Sequence, residues 1–273
     1  MADEDHLCPL FMDSPHSGTM LPPDFHYACD LADIRASQDT LVDGLIAGAP
    51  ALGIGTLTAQ FTRAYLDLNR SLADIDPALC AEKPDWPTHP SKRVQYGLGL
   101  IHTRARGHAI YDAPLPKDAI NHRIDHYYKP YYACLEAQLQ HLHDIFGHAL
   151  HLNMHAMPSR SIDGKLLPDI VIGDLDGVAS HRIWRDLVRD LFKQAGFVVS
   201  VNTPYKGVEI ISRTGKPRQG VHALQIEINK ALYLDEQTLL PHAGWEDCLL
   251  ALQSVYHTLA TILHDTDFRQ AAE

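Results

Sequence analysis

The chain has no apolar run approaching the roughly 20 residues that a membrane-spanning helix needs. It has no excess of basic charge: 23 Lys and Arg stand against 34 Asp and Glu, a formal charge of −11. Such a surface is a poor general platform for nucleic acid or anionic membrane. It has only five cysteines, Cys8, Cys29, Cys80, Cys134 and Cys248, widely spaced and without a CxxC pair. A disulfide framework and a thiolate zinc site are therefore not expected; buried, inert thiols in a reducing cytoplasm are. The opening Met-Ala-Asp-Glu-Asp-His lacks the basic then apolar order of a secretory leader. No GxSxG surrounds Ser14 or Ser17, which leaves little signal for a serine nucleophile. There is no repeat of fixed period and no low-complexity tract.

The 273 residues carry 45% apolar and 21% charged side chains, ordinary for a globular chain and expected to form a single domain over 1–273. The 18 His are numerous enough to raise metal or proton chemistry. Leu10–Met12 reads as a strand, Asp39–Ala49 as a helix and Gly53–Gln60 as a strand. Ala81–Arg93, rich in Pro and charge, reads as an exposed excursion. Asp118–Phe146 is a long helical stretch with a candidate break at Pro130. Strands follow at Ala149–Met154, Asp169–Ile172, Phe197–Asn202 and Ala223–Ile228. Helices are expected at Ser180–Ala195, closed by Gly196, and at Trp245–Leu263. Alternating strands and helices predict an α/β layered sheet with its site beyond strand carboxyl ends. His16 and His155 are expected there.

Four segments carry chemistry. Asp13-Ser-Pro-His-Ser-Gly18 holds His16 in a tight loop past a strand; a surface loop His is the plain alternative. Asn153-Met-His-Ala-Met-Pro-Ser159 places His155 at a strand end, as a ligand or as a hydrogen-bonded His. Arg63-Ala-Tyr-Leu-Asp-Leu-Asn-Arg70 packs two arginines and an asparagine together. The guanidinium fork matches a carboxylate, although surface salt bridges to neighbours such as Asp67 are the plainer account of the segment taken alone. In Val221–Asn229, period-2 alternation sets Gln225, Glu227 and Asn229 on one face. Glu227 then lies either toward water or near a charge such as a metal, where a general base would stand.

Together the segments resemble the N-formylglutamate amidohydrolase family. The likeness runs from about Phe11 to Glu236 through Asp-Ser-Pro-His-Ser-Gly (13–18), Asp-Thr-Leu-Val-Asp (39–43), Arg-Ala-Tyr-Leu-Asp-Leu-Asn-Arg (63–70), His-Ala-Met-Pro-Ser (155–159), Asp-Ile-Val-Ile-Gly-Asp (169–174), Asn-Thr-Pro-Tyr (202–205) and Gly-Val-His-Ala-Leu-Gln-Ile-Glu-Ile-Asn (220–229). The resemblance implies a zinc-carboxypeptidase-like fold, a mixed, mostly parallel central sheet flanked by helices. It implies one catalytic zinc and hydrolysis of N-formyl-L-glutamate to formate and L-glutamate in histidine degradation. His16 and His155 resemble the zinc-binding histidines, Glu227 the general base, and Arg63 the group that polarises the scissile carbonyl. Asn69 and Arg70 resemble the pair that holds the substrate carboxylate.

The chain departs in three places, at Thr19 from the wider group of zinc carboxypeptidases and aspartoacylase-like enzymes that the resemblance implies as kin, and at Asn153 and Leu175 from many members of the family itself. Thr19 stands where a ligand Glu is usual, Asn153 where Asp is common, and Leu175 where Arg is frequent. The third ligand is expected from Asp43 or Asp39, with Asp43 preferred. A second carboxylate of the substrate needs a further cation, Arg213 first, with Lys206 and Arg218 as alternatives. His222 is expected to support the base. The expected substrate is a small acidic N-acyl amino acid; the rivals are another acyl group on the same chemistry and a non-catalytic metal-binding protein.

Overall fold

Alternation of side chains along the strands decides what each face of the central sheet can hold. The computed structural model describes residues 7–265; the opening six residues, read above as lacking a leader's order, lie outside them. In chain order the elements are β1 (Leu10–Ser14), α1 (Leu31–Ala36), α2 (Val42–Ile46), β2 (Gly55–Thr58), β3 (Arg104–Ala105), β4 (His108–Ala109), α3 (Lys117–Arg123), α4 (Lys129–Phe146), β5 (Ala149–Met157), β6 (Ile170–Gly173), α5 (Arg182–Gln194), β7 (Val199–Val201), α6 (Glu209–Thr214), β8 (Val221–Asn229) and α7 (Trp245–Asp265). They fall into two compact units: 7–14, 41–57 and 136–265 in the first, 15–40 and 58–135 in the second.

The first unit holds a six-stranded sheet in the order β2-β1-β5-β8-β6-β7. The pairs β1–β5, β5–β8 and β6–β7 are parallel; β6–β8 is antiparallel. This is the mixed, mostly parallel α/β sheet expected. Register sets Leu10 beside Leu150, Leu152 beside Leu224, and Ile226 beside Met154 and Ile172. With Met12, Ile170 and Ile228 they form one apolar face. Helix α5 covers it with Trp184, Val188, Leu191 and Phe192, and α7 with Leu252, Val255, Tyr256, Leu259 and Leu263. Both sets repeat at the three-and-four spacing of a buried helical stripe. Each such side chain contributes about 1.5–3 kcal/mol when fully buried. The opposite face carries Asp13, His151, Asn153, His155, Gln225 and Glu227, all buried.

Strand β5 runs on to Met157, so His155 lies within the strand rather than past its end, paired with Glu227 on β8. The helix expected over Asp39–Ala49 is shorter. Leu41 adopts a left-handed backbone, φ 64°, and α2 begins only at Val42. The break in the long helical stretch is a π turn at Ile124–Tyr128, just before Pro130. A proline cannot donate backward and its ring crowds the carbonyl four residues earlier; a widened turn there relieves both.

In the second unit the Arg63–Arg70 segment is irregular backbone, fastened by side chains. Arg123, 1% exposed, stacks its guanidinium 4.0 Å over the Tyr65 ring and donates to the Tyr65 carbonyl at 2.9 Å. Tyr132 donates to the Leu68 carbonyl at 2.7 Å and Tyr128 to the Arg70 carbonyl at 3.0 Å. At Gly18 a Cβ would lie 2.4 Å from the Gln60 backbone, so only glycine fits the close approach behind His16. Residues 81–93 are largely exposed, as expected.

Only Cys8 and Cys248 are buried; Cys29 and Cys80 are half-buried and Cys134 is exposed. Burial pushes the thiols of Cys8 and Cys248 up to about 12, which fits inert groups. No helix among the described residues is long and apolar enough to cross a membrane.

Candidate metal centre

His16 lies two residues beyond β1 and is 1% exposed. The backbone N–H of Asp39 donates to the His16 carbonyl at 3.0 Å, which ties the two segments together. His16 Nε2 is 2.7 Å from Asp67 Oδ1, and its Nδ1 faces Asp39 Oδ2 at 3.4 Å. A carboxylate oxygen only accepts, so the proton of His16 belongs on Nε2. Its Nδ1 lone pair then faces a carboxylate oxygen, an arrangement that a cation would favour.

Asp67 has no exposed surface, yet it is well supplied with donors. Arg63 Nη2 donates to Oδ2 at 2.8 Å, His102 Nε2 lies 3.0 Å from the same oxygen, and the Asn69 N–H donates to Oδ1 at 2.9 Å. Burial alone would push its carboxyl up. Arg63, His16, Arg70 and His102 outweigh that and hold it well below the usual carboxylate range. Burial pushes His102 down, toward the neutral ring. Arg63 also donates from Nη1 to Asp39 Oδ1 at 3.2 Å, so one guanidinium spans both carboxylates. Arg70 is anchored by Nε to the Leu98 carbonyl at 3.0 Å and by Nη1 to the Asn69 carbonyl at 2.8 Å. Neither bond uses Nη2.

On the polar face of the sheet, His155 Nε2 is 2.8 Å from Asn153 Oδ1. This nitrogen too carries the proton, and Nδ1 again keeps the lone pair. Glu227 is 8% exposed, beside His155 in the parallel register, and its Oε1 accepts from Gln225 Nε2 at 2.8 Å. In the second unit a ligand atom of His16 and one of Asp39 lie within 4.8 Å of each other, and in the first unit His155 is buried. The imidazoles of His16 and His155 and the carboxylate of Asp39, all buried, are donor types suited to zinc.

Asp39, not Asp43, faces Nδ1 of His16. Asp43 is exposed on α2. The left-handed Leu41 interrupts the helix on which Asp39 and Asp43 would have shared a face. His222 lies on the apolar face of β8, opposite Glu227, with its ring 5.1 Å from that of Trp184. Arg213, on α6, pairs with Glu136 at 2.5 Å. Lys206 pairs with Asp176 at 2.7 Å, and Arg218 is exposed. The Asp169–Asp174 and Asn202–Tyr205 segments interlock: Asp174 Oδ1 accepts from Asn202 Nδ2 at 2.6 Å, and the Asp174 N–H donates to Asn202 Oδ1 at 2.9 Å. Asp67 and His102 are functional candidates that sequence reasoning misses. Asp67 reads as a local salt-bridge partner, and nothing near His102 marks it.

The chain is 29% identical over 258 residues to an N-formylglutamate deformylase of Pseudomonas aeruginosa, covering 92% of this chain and 91% of that one. A deformylase of the same description from Pseudomonas putida is 25% identical over 236 residues, covering 84% and 82%. The fold matches a crystal structure of an N-formylglutamate amidohydrolase from Ralstonia eutropha with a TM-score of 0.90 at 35% identity, over 96% of each chain. The N-formylglutamate amidohydrolase family model matches residues 8–234. The chain therefore belongs to the N-formylglutamate amidohydrolase family.

Proposed function

We propose that this chain hydrolyses the amide bond of N-formyl-L-glutamate to formate and L-glutamate, a step of histidine degradation, using one zinc held by His16, Asp39 and His155. The observation that carries the reading is that His16 and His155 each set Nε2 against an oxygen acceptor, which leaves Nδ1 for a metal, with Asp39 Oδ2 facing Nδ1 of His16. The relatives named as deformylases support the substrate. Bound there, zinc would lower the pKa of a water toward about 7 and polarise the formyl carbonyl.

The remaining roles belong to the chain's own residues. Asp67 and Asn153 hold the two imidazoles in the ligating tautomer. Glu227 takes the proton of the attacking water and returns it to the leaving amine as the C–N bond breaks. Arg63 holds Asp39 and Asp67 in place and is assigned the charge that develops on the formyl oxygen. Asn69 and Arg70 take the α-carboxylate; with Nε and Nη1 fixed to carbonyls, Arg70 offers Nη2 from a set position. Arg213 is the proposed partner of the γ-carboxylate, which requires its pair with Glu136 to open. The family match passes through both compact units, which supports reading the chain as one functional domain. Five free cysteines suit a reducing cytoplasm.

The test is turnover measured side by side on N-formylglutamate, N-acetylglutamate and N-succinyl amino acids. N-Formylglutamate should give the highest kcat/KM. Preference for a longer acyl group would keep the chemistry and replace the substrate.

A further inference from the structure

A line of buried polar side chains crosses the polar face of the sheet, and its donors and acceptors fix where the protons sit. Thr214 Oγ1 donates to the Ile210 carbonyl at 2.9 Å. The same Oγ1 lies 3.0 Å from His151 Nδ1. His151 Nε2 lies 2.7 Å from Asp13 Oδ1, and Asn153 Nδ2 donates to the same oxygen at 2.8 Å. The amide of Asn153 is thereby oriented. Its amino group meets Asp13 and its carbonyl meets His155 Nε2. Turned the other way, the amide would set its carbonyl oxygen against a carboxylate oxygen. Asp13, His151 and Asn153 have 0% exposure and His155 has 3%. Water cannot replace a lost partner there, and an unsatisfied group is costly.

We infer that His151, acting through Asp13 and Asn153, is a positioning residue for His155, fixing the tautomer that offers Nδ1 to the metal. The lever is short. His151, Asn153 and His155 alternate along β5 on one face, and Asp13 reaches them from the neighbouring β1. Asn153 is thus the link in a relay anchored at Thr214, at the end of α6. The ligand role of His155 rests on the metal reading above. The tautomer is a property of the metal-free chain.

The experiment is ¹⁵N NMR of the histidine side chains in metal-free full-length protein, for wild type, His151→Phe, Asn153→Leu and Thr214→Val. Wild-type His155 should be wholly Nε2–H. His151→Phe and Asn153→Leu should give a mixture of tautomers, and Thr214→Val a smaller change in the same direction. Zinc affinity by chelator competition should fall roughly 10–100-fold in His151→Phe and in Asn153→Leu. The double variant should be no weaker than the weaker single one, because both act through one line. A His155 that stays wholly Nε2–H in His151→Phe overturns the inference, as do additive losses in the double variant. Should His151→Phe not fold, Thr214→Val decides: an unchanged His155 spectrum overturns it. A wild type that binds no zinc defeats the metal reading, and the tautomer result still decides this one.

Discussion

His16 Nε2 meets Asp67 Oδ1 at 2.7 Å, and neither residue is open to water. A His–carboxylate bond of this kind fixes the ring and raises the basicity of the other nitrogen. His155 has a neutral counterpart, Asn153, in the same place on its ring. Each ring is held through Nε2, one by a charged group and the other by a neutral one.

Asp67→Asn keeps the shape and removes the charge behind His16. Zinc affinity should fall about 10–100-fold. Stability should fall too, because Arg63 loses one of its two carboxylate partners and His102 loses its own. Chelator competition and chemical denaturation separate the two effects. Unaltered zinc affinity would leave Asp67 as a purely structural anchor for Arg63.

Glu227→Gln retains the hydrogen-bonding outline but cannot take a proton. Turnover should fall roughly 10²–10⁴-fold, the range for positioned acid–base catalysis, while metal content and substrate affinity stay close to wild type. Near-normal turnover would reduce Glu227 to a strand residue satisfied by Gln225.

Arg70→Lys keeps the positive charge and loses the planar fork held by the Leu98 and Asn69 carbonyls. KM for N-formylglutamate should rise with little change in kcat, and zinc content should be unaffected. A substrate amidated at the α-carboxyl should be poor for wild type and lose little more in the variant. Equal KM values for both enzymes on N-formylglutamate would dismiss the clamp.

Burial, followed by the neighbouring His181 and His148, lowers His222 to about 3. Its Nδ1 accepts from the His181 N–H at 3.2 Å, which requires the neutral ring. Below about pH 6.5 an unfolded chain binds a proton at this position that the native state refuses until near pH 3. The unfolded state then holds more protons, and stability declines as the pH drops through that window. His222→Gln should flatten the pH dependence of the denaturation midpoint between pH 6.5 and 3. A slope equal to wild type would place the acid sensitivity elsewhere.

The sheet and the two histidines proposed as ligands are legible in the sequence because each polar residue interrupts an apolar, strand-like run. Glu227 is legible through period-2 alternation in β8. The third residue of the proposed centre is not. Choosing Asp39 over Asp43 turns on the left-handed backbone of Leu41, a conformation that a non-glycine residue does not announce. Asp67 is visible only as a neighbour of Arg63, since its bond to His16 spans 51 residues. The length of β5 is hidden because Asn153 and His155 look like the start of a loop. They are tolerated inside the strand because its second face is polar and fully hydrogen-bonded.

Zinc titration of metal-free protein, with N-formylglutamate turnover followed at each addition, tests the central claim most directly. Wild-type activity should rise from near zero to a plateau at one zinc per chain. Asp43→Ala should trace the same curve, and Asp39→Ala should need far more metal and reach far less activity. Full turnover by the exhaustively chelated wild type, or an Asp39→Ala curve matching wild type while Asp43→Ala fails, would contradict it.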